Sequence, residues 1–208
     1  TLGELEYENF NAAAATVRFR GVSIHPGSAK NKLLNAQLVA MEFNGMLPVH
    51  ERPEATEGYE GFAMLAGMEG EIEAAVLHYI IRDHDMAKFT ARKEKFNQIA
   101  RFLNEKYGEG AVTVELKDSY YNMKEKILPV MHVIEQAKAT MEAVGMNPVT
   151  VPIRGGTDGA RLSFEGLPCP NLCTGGENYH GRLEYIPVED MELCTKMLVS
   201  LLQNAKHP

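Results

Sequence analysis

The sequence predicts a mixed α+β and α/β chain: a β-α-β-β-α-β unit followed by a region in which strands and helices alternate. Between Asn11 and Lys117 the hydrophobic period switches between two and 3.6 in the order strand, helix, strand, strand, helix, strand. Glycine and proline mark most of the switches. The last third has a different grain, with short apolar runs that each lead into a Gly-rich loop and then a helix.

Residues 16–24 (Thr-Val-Arg-Phe-Arg-Gly-Val-Ser-Ile) alternate polar and apolar side chains and read as a half-buried strand. Pro26 and Gly27 break it. Residues 31–44 place Leu34, Ala36, Leu38, Val39, Ala40 and Met41 at helical spacings, up to the stop signals Gly45 and Pro48. The acidic, proline-bearing stretch 49–59 predicts a loop. Strands follow at 61–66 and 71–81 about a turn at 68–70, the second with Ile72, Ala74, Val76, His78 and Ile80 on one face. A helix over 85–107 carries the apolar stripe Phe89, Phe96, Ile99, Ala100 and Leu103, with Lys88, Arg92 and Lys95 toward water. Gly108 and Gly110 stop it, and Val112, Val114 and Leu116 alternate as the last strand. One sheet covered by two helices satisfies this order.

Beyond it, 129–144 reads as a helix, 148–153 as a short apolar strand and 154–159 as a Gly-rich turn. A short helix, a strand at 171–174, a second Gly-rich loop at 175–181 and a helix from Val188 to about Gln203 complete the chain. Such alternation predicts a parallel sheet covered on both faces, with function in the loops after its strands. The layer is thin, so it is expected to complete a sheet whose other strands lie outside the chain. The opening on Thr1, straight into alternating residues, reads as though cut from something longer.

Of 208 residues, 45% are hydrophobic and 24% charged, enough for a sizeable core and contrary to disordered or fibrous classes. Twenty-one basic against 28 acidic residues give −7 without a basic run, which argues against nucleic acid as a partner. The odd set Cys169, Cys173 and Cys194 reads as reduced thiols. No apolar run approaches the roughly 20 residues that span a bilayer, and the acidic start lacks a signal peptide's basic region. A soluble, cytoplasmic protein is expected.

The segment Gly175-Gly-Glu-Asn-Tyr-His-Gly-Arg-Leu-Glu184 is the richest in chemistry. Its glycines let the backbone approach a ligand, His180 is a metal ligand or an acid/base by type, and Glu184 is placed to orient it. A solvated loop histidine explains the same residue, and one histidine cannot hold zinc. Arg154-Gly-Gly-Thr-Asp-Gly159 suits a carboxylate or phosphate, or is a tight turn that needs positive φ. It lacks the ending of a P-loop. His25 before Pro26-Gly27 is either functional or the cap of a turn. Cys169 and Cys173 lack Cys-x-x-Cys spacing and read as structural. Glu4, Glu6 and Glu8 are explained by a solvated strand edge. Met41, Met46, Met64, Met68 and Met141 read as core filler.

Taken together, Gly3-Glu-Leu-Glu-Tyr-Glu-Asn-Phe-Asn-Ala12, Gly21-Val-Ser-Ile-His-Pro-Gly27, His78-Tyr-Ile-Ile-Arg-Asp83, Asp118-Ser-Tyr-Tyr-Asn-Met123, Ile153-Arg-Gly-Gly-Thr-Asp-Gly159 and Asn178-Tyr-His-Gly181 resemble the peptidase T family. These are tripeptide aminopeptidases of the co-catalytic zinc metallopeptidase superfamily that also holds carnosinases, acylases and desuccinylases. The resemblance covers essentially the whole chain and places it in the C-terminal half of the family's enzymes.

The resemblance implies that residues 1–10 end a catalytic-domain segment and cross over, that 11–118 form the ferredoxin-like lid or dimerisation domain, and that 119–208 are the C-terminal part of the α/β zinc-peptidase catalytic domain. It implies two zinc ions in a complete active site, of whose ligands His180 alone has a counterpart here, so the chain by itself is expected to be inactive and to hold zinc weakly or not at all. A bridging hydroxide would attack the scissile carbonyl. His25 matches a lid histidine that supports the oxyanion in the partner subunit's site, which makes a homodimer through the lid expected. Arg82 and Arg154 match arginines that hold the substrate's C-terminal carboxylate. Asn122 is either a substrate contact or a hinge residue. The implied activity is release of the N-terminal residue from tripeptides. The rivals are another superfamily hydrolase, such as an N-acyl amino acid deacylase or dipeptidase, and a non-catalytic binding or dimerisation module. An RNA-binding βαββαβ module is opposed by the acidic charge.

Overall fold

The computed structural model describes residues 1–205. The chain forms two compact units: one from Thr1–Asn9 with the segment from Asn122 onward, the other from Phe10–Tyr121. In chain order the elements are β1 (Glu4–Glu6), β2 (Asn11–Arg20), α1 (Ala36–Met46), β3 (Phe62–Gly70), β4 (Ala74–Asp83), α2 (Met86–Tyr107), β5 (Val112–Tyr120), α3 (Lys124–Ile127), α4 (His132–Ala143), β6 (Val149–Thr150), α5 (Asp158–Phe164), β7 (Asn171–Leu172) and α6 (Val188–Asn204).

In the unit Phe10–Tyr121 an antiparallel sheet of order β3-β4-β2-β5 is covered on one face by α1 and α2. Its core interleaves Ala13, Ala15, Val17 and Phe19 of β2 and Ala75, Leu77, Tyr79 and Ile81 of β4 with Val39 and Phe43 of α1 and Phe89, Phe96, Ile99 and Leu103 of α2. Phe43 sits at the centre, its ring 5.7 Å from Phe19, 5.8 Å from Phe96 and 6.3 Å from Tyr79. Such aromatic clusters add edge and tilted ring contacts to the area they bury. The stripe expected on α2 is the one observed, capped by the Asp85 carboxylate on Lys88 N–H at 2.8 Å and ended by Gly108 at φ 107°.

Several boundaries differ from the sequence reading. The first strand is 11–20 rather than 16–24, because the run Ala12–Ala15 pairs with both β4 and β5 although it shows no polar alternation. Val22 instead exchanges hydrogen bonds with Leu34, which pulls Leu34 out of the helix, and α1 starts after an Asn35 cap. Met68-Glu-Gly70 belongs to β3 and the hairpin turn lies at 71–73, so β4 buries Ala75, Leu77, Tyr79 and Ile81 while Ala74 and His78 are exposed. A one-residue error of phase exchanges the two faces of a strand. Met41, Met46 and Met68 are exposed, and of the five methionines read as filler Met141 alone is fully buried. The boundary expected at 118/119 falls inside β5, which runs to Tyr120.

The other unit is built on a small mixed sheet of order β6-β1-β7, with β1 parallel to β6 and antiparallel to β7, not the parallel sheet expected. Leu5 of β1 packs with Ile127, Ile134, Met141, Cys194 and Met197 of α3, α4 and α6. The solvated-edge explanation of Glu4, Glu6 and Glu8 fails, because β1 is the middle strand and Glu8, two residues beyond its end, is buried and paired with Lys124 Nζ at 3.0 Å. Beside it the fully buried Asn9 accepts from Met123 N–H at 2.8 Å and donates its own N–H to Asn122 Oδ1 at 3.2 Å. These bonds hold the chain segments 4–9 and 122–124 together within the unit.

Candidate functional site

The loop with His180 is short and closely constrained. Glu177 and Tyr185 exchange backbone hydrogen bonds of 2.9 and 3.2 Å, closing residues 178–184 into a turn in which Gly181 N–H returns to Asn178 C=O at 2.9 Å. Asn178 at φ 56° and His180 at φ 63° both lie in the left-handed region, which non-glycine residues rarely occupy. Such conformations cost of order 1–3 kcal/mol and cluster at functional loops. Gly176 carries the Tyr179 ring so closely that a Cβ there would come within 2.6 Å of the Tyr179 hydroxyl oxygen, which is itself 2.8 Å from Thr174 Oγ1. The His180 imidazole is exposed. Glu184 accepts the His180 backbone N–H at 2.9 Å, so it fixes the turn rather than orienting the ring as the sequence suggested.

Arg154 is half-buried after Ile153, whose N–H donates to Glu8 C=O at 2.8 Å. The glycines after it are not all there for positive φ. Gly155 lies outside the left-handed region, whereas Gly159 is required by close approach, since a Cβ would meet the Cys169 carbonyl oxygen at 2.3 Å. Thr157 caps α5 by accepting Gly159 N–H at 3.3 Å and is braced by Asn171 Nδ2 at 2.8 Å. Asn122 uses its Oδ1 on two backbone donors, Asn9 N–H and Lys124 N–H at 3.0 Å.

In the other unit His25 lies five residues past the end of β2 and caps the turn Pro26–Ser28, accepting Gly27 N–H on Nδ1 at 3.1 Å. An accepting Nδ1 fixes the neutral tautomer with hydrogen on Nε2, and that N–H points from an exposed side chain. Acting as the turn cap thus leaves the ring's hydrogen on Nε2. Arg82 extends from β4 with Nη1 donating to Ile81 C=O at 2.9 Å and Ala13 C=O at 3.3 Å, and its guanidinium carbon lies 5.3 Å from the Tyr120 ring centroid.

Sequence reasoning missed a network beside Arg82. Arg92, expected on the wet face of α2, is mostly buried and donates from Nε to the buried Asp83 Oδ2 at 2.9 Å. Its Nη1 is 2.6 Å from Glu51 Oε2, an ion-pair distance without hydrogen-bond alignment. Asp83 Oδ1 also accepts Asp85 N–H at 3.0 Å, and Asn11 Nδ2 donates to the carbonyls of Asp83 and His84. Arg92 borders an open cavity of about 530 Å³ floored by Leu47, Ala63, Tyr79 and Phe96. The Tyr79 hydroxyl donates to Asn44 Oδ1 at 3.0 Å, and burial pushes that phenol well above its usual range.

Among the described residues no three His, Cys, Asp or Glu side chains gather where a metal ion could be held. A single exposed imidazole does not make a zinc site. His180 can contribute to one only beside ligands that are not gathered around it among the described residues. No helix among the described residues is long and apolar enough to cross a membrane.

Residues 7–111 match the family described as the peptidase dimerisation domain. The chain is 58% identical over 202 residues to "Peptidase T" of Clostridium perfringens, covering 97% of this chain and 50% of that protein. It is 52% identical over 202 residues to "Peptidase T" of Alkaliphilus oremlandii, covering 97% of this chain and 49% of that one. The chain thus spans about half the length of these curated relatives. Among solved structures, the aminopeptidase PepT of Bacillus cereus aligns with a TM-score of 0.79 at 23% identity, over 97% of this chain and 54% of that one. A tripeptidase of Staphylococcus aureus aligns with 0.84 at 18%, over 97% and 53%. At these identities the two structures speak for the fold.

Proposed function

The chain belongs to the peptidase dimerisation-domain family, and from that premise we propose that it serves as the lid and C-terminal catalytic portion of a cytoplasmic tripeptide aminopeptidase. The observation that carries this reading is the 58% identity to a peptidase T over 97% of the chain, which spans both units rather than the dimerisation domain alone. In the complete enzyme His180 would be one ligand of a zinc pair whose other ligands come from outside this chain. What these residues themselves supply is binding and charge stabilisation. His25 Nε2–H is pre-oriented by the Gly27 bond to donate to an oxyanion. Arg154 and Arg82 are cations suited to a peptide's terminal carboxylate, and Asn122, whose Oδ1 is taken by backbone donors, acts through the position of its segment.

The homodimer proposed with this reading uses the β3 edge. Gln37 Nε2 donates to Gly70 C=O at 2.7 Å and Ala36 N–H to Ile72 C=O at 2.9 Å, which lays the start of α1 along the β3–β4 hairpin. On that side Leu38, Met41, Leu65 and Met68 are exposed. An uncovered edge strand beside an apolar helix face is a ready template for a second copy.

The test is a chimera in which this chain replaces the matching half of the Clostridium perfringens peptidase T. It should release the N-terminal residue from a tripeptide and leave the N-acetylated tripeptide intact, and His180→Ala should abolish both activity and metal retention. A folded chimera that cleaves N-acyl amino acids but not tripeptides would overturn the reading, as would one whose zinc content and activity survive His180→Ala.

A further inference from the structure

We propose that Cys173 and Cys194 are a dithiol modification site, oxidised by a hydroperoxide to a reversible disulfide that fastens the root of the His180 loop to α6. Cys173 follows β7 directly, and Cys194 lies on the buried face of α6. Cys194 Sγ donates to the Cys173 carbonyl oxygen at 3.7 Å, and the two thiols also interact side chain to side chain, the proximity from which a disulfide can close. The inference does not depend on the peptidase reading.

The two sulfurs have different surroundings, and these assign the roles. Cys173 is half-exposed, open to a hydroperoxide from solvent, and its sulfur accepts Gly3 N–H at 3.2 Å. Cys194 is buried; desolvation first, and then the neighbouring Cys173 thiol, push it up to about 11. The nucleophile is therefore Cys173 and the resolving group Cys194. In the first step the Cys173 thiolate attacks the peroxide: an S–O bond forms, the O–O bond breaks, and the departing hydroxide takes a proton to become water. In the second, the Cys194 sulfur attacks the sulfenic sulfur. The S–S bond forms, the S–O bond breaks, and the hydroxide leaves with the Cys194 proton as a second water. Two thiols are oxidised by two electrons and one hydroperoxide is reduced.

The bridge would enclose the segment from Thr174 to Leu193, which includes Tyr179, His180 and Glu184. The root of that segment already presses on α6, since a Cβ on Gly175 would lie 2.6 Å from Asp190 Cβ. Oxidation would make this docking covalent and restrict the motion of the loop.

The reduced chain is treated with hydrogen peroxide, unfolded, alkylated with iodoacetamide and mapped by mass spectrometry. The expected product is a cross-linked pair of peptides from Cys173 and Cys194, lighter by two hydrogens and restored by dithiothreitol, with Cys169 still alkylated. Cys194→Ser should stop the reaction at a Cys173 sulfenic acid that dimedone traps, and Cys173→Ser should slow oxidation of Cys194 by at least about 10-fold. The proposal fails if Cys194 stays alkylatable after Cys173 is oxidised. It also fails if the bridge forms through Cys169, or if Cys194 oxidises as fast in the Cys173→Ser chain.

Discussion

Replacing Arg92 by methionine should cost the unit Phe10–Tyr121 about 3 kcal/mol, because it strands a buried carboxylate. Asp83 is 1% exposed and Arg92 14%, and removing one partner of a buried ion pair typically costs about 3–5 kcal/mol. The lower end applies here for two reasons: Asp83 Oδ1 keeps the Asp85 N–H at 3.0 Å, and the site is not wholly closed to water. Glu51, whose side chain is 33% exposed, is a rim partner, so Glu51→Gln should cost at most about 1 kcal/mol. Combining Arg92→Met with the isosteric Asp83→Asn removes the buried charge altogether and should cost about 2 kcal/mol less than the sum of the two single changes. A larger side chain at 83 would not serve, since Gly61 already lies against its carboxylate. The assay is urea unfolding at pH 7 followed by circular dichroism and tyrosine fluorescence, the chain having no tryptophan. A midpoint shift at constant slope gives the cost. If Arg92→Met costs less than about 1 kcal/mol, or if the pair is additive, Arg92 and Asp83 do not form a buried, coupled ion pair.

His25→Ala in the peptidase chimera should lower kcat by about 10²- to 10³-fold through loss of an oxyanion donor, while loss of the turn cap changes stability by only about 1 kcal/mol. A His25→Ala subunit paired with a His180→Ala subunit should partly recover activity if the donor works across a two-fold dimer, and inactive verified heterodimers would refute that. Leu38→Lys with Met68→Lys should turn the dimer into monomers by light scattering without unfolding them, since these side chains are 61% and 51% exposed; a dimer that persists places the interface elsewhere. Burial is the main influence on Glu6 and raises its carboxyl above the usual value of 4.5. A raised carboxyl adds stability below about pH 4.5 and loses it as pH rises through the folded value, so Glu6→Gln should raise Tm at pH 7. That gain should disappear below pH 4.5; a gain that is flat with pH would show that the charge of Glu6 is not its cause.

The difference between what the sequence disclosed and what it hid follows the range of the interactions. The stripe of α2 and its stops depend on neighbours within a turn or two, and they were legible. So was the His180 loop, because glycines at 175, 176 and 181 announce an unusual backbone before any partner is known. Which face of β4 is inside is not legible, because both faces carry apolar residues and only the helices packed on Ala75, Leu77, Tyr79 and Ile81 decide it. Arg92 shows the same limit in a polar residue. Its helical position is that of a solvated cation, and it became a buried ion-pair partner only because Asp83 and Glu51 arrive from other elements. Glu184 shows the reverse case, with the right residue beside His180 and the wrong atom, since four residues of spacing serve a backbone N–H as well as an imidazole. The type and local geometry of a candidate site can thus be read from one chain. The identity of the atom that each side chain holds cannot be read without its distant partners. His25 marks the boundary between the two: its turn is legible from His-Pro-Gly, but that its hydrogen sits on Nε2 follows only once Nδ1 is seen to accept from Gly27.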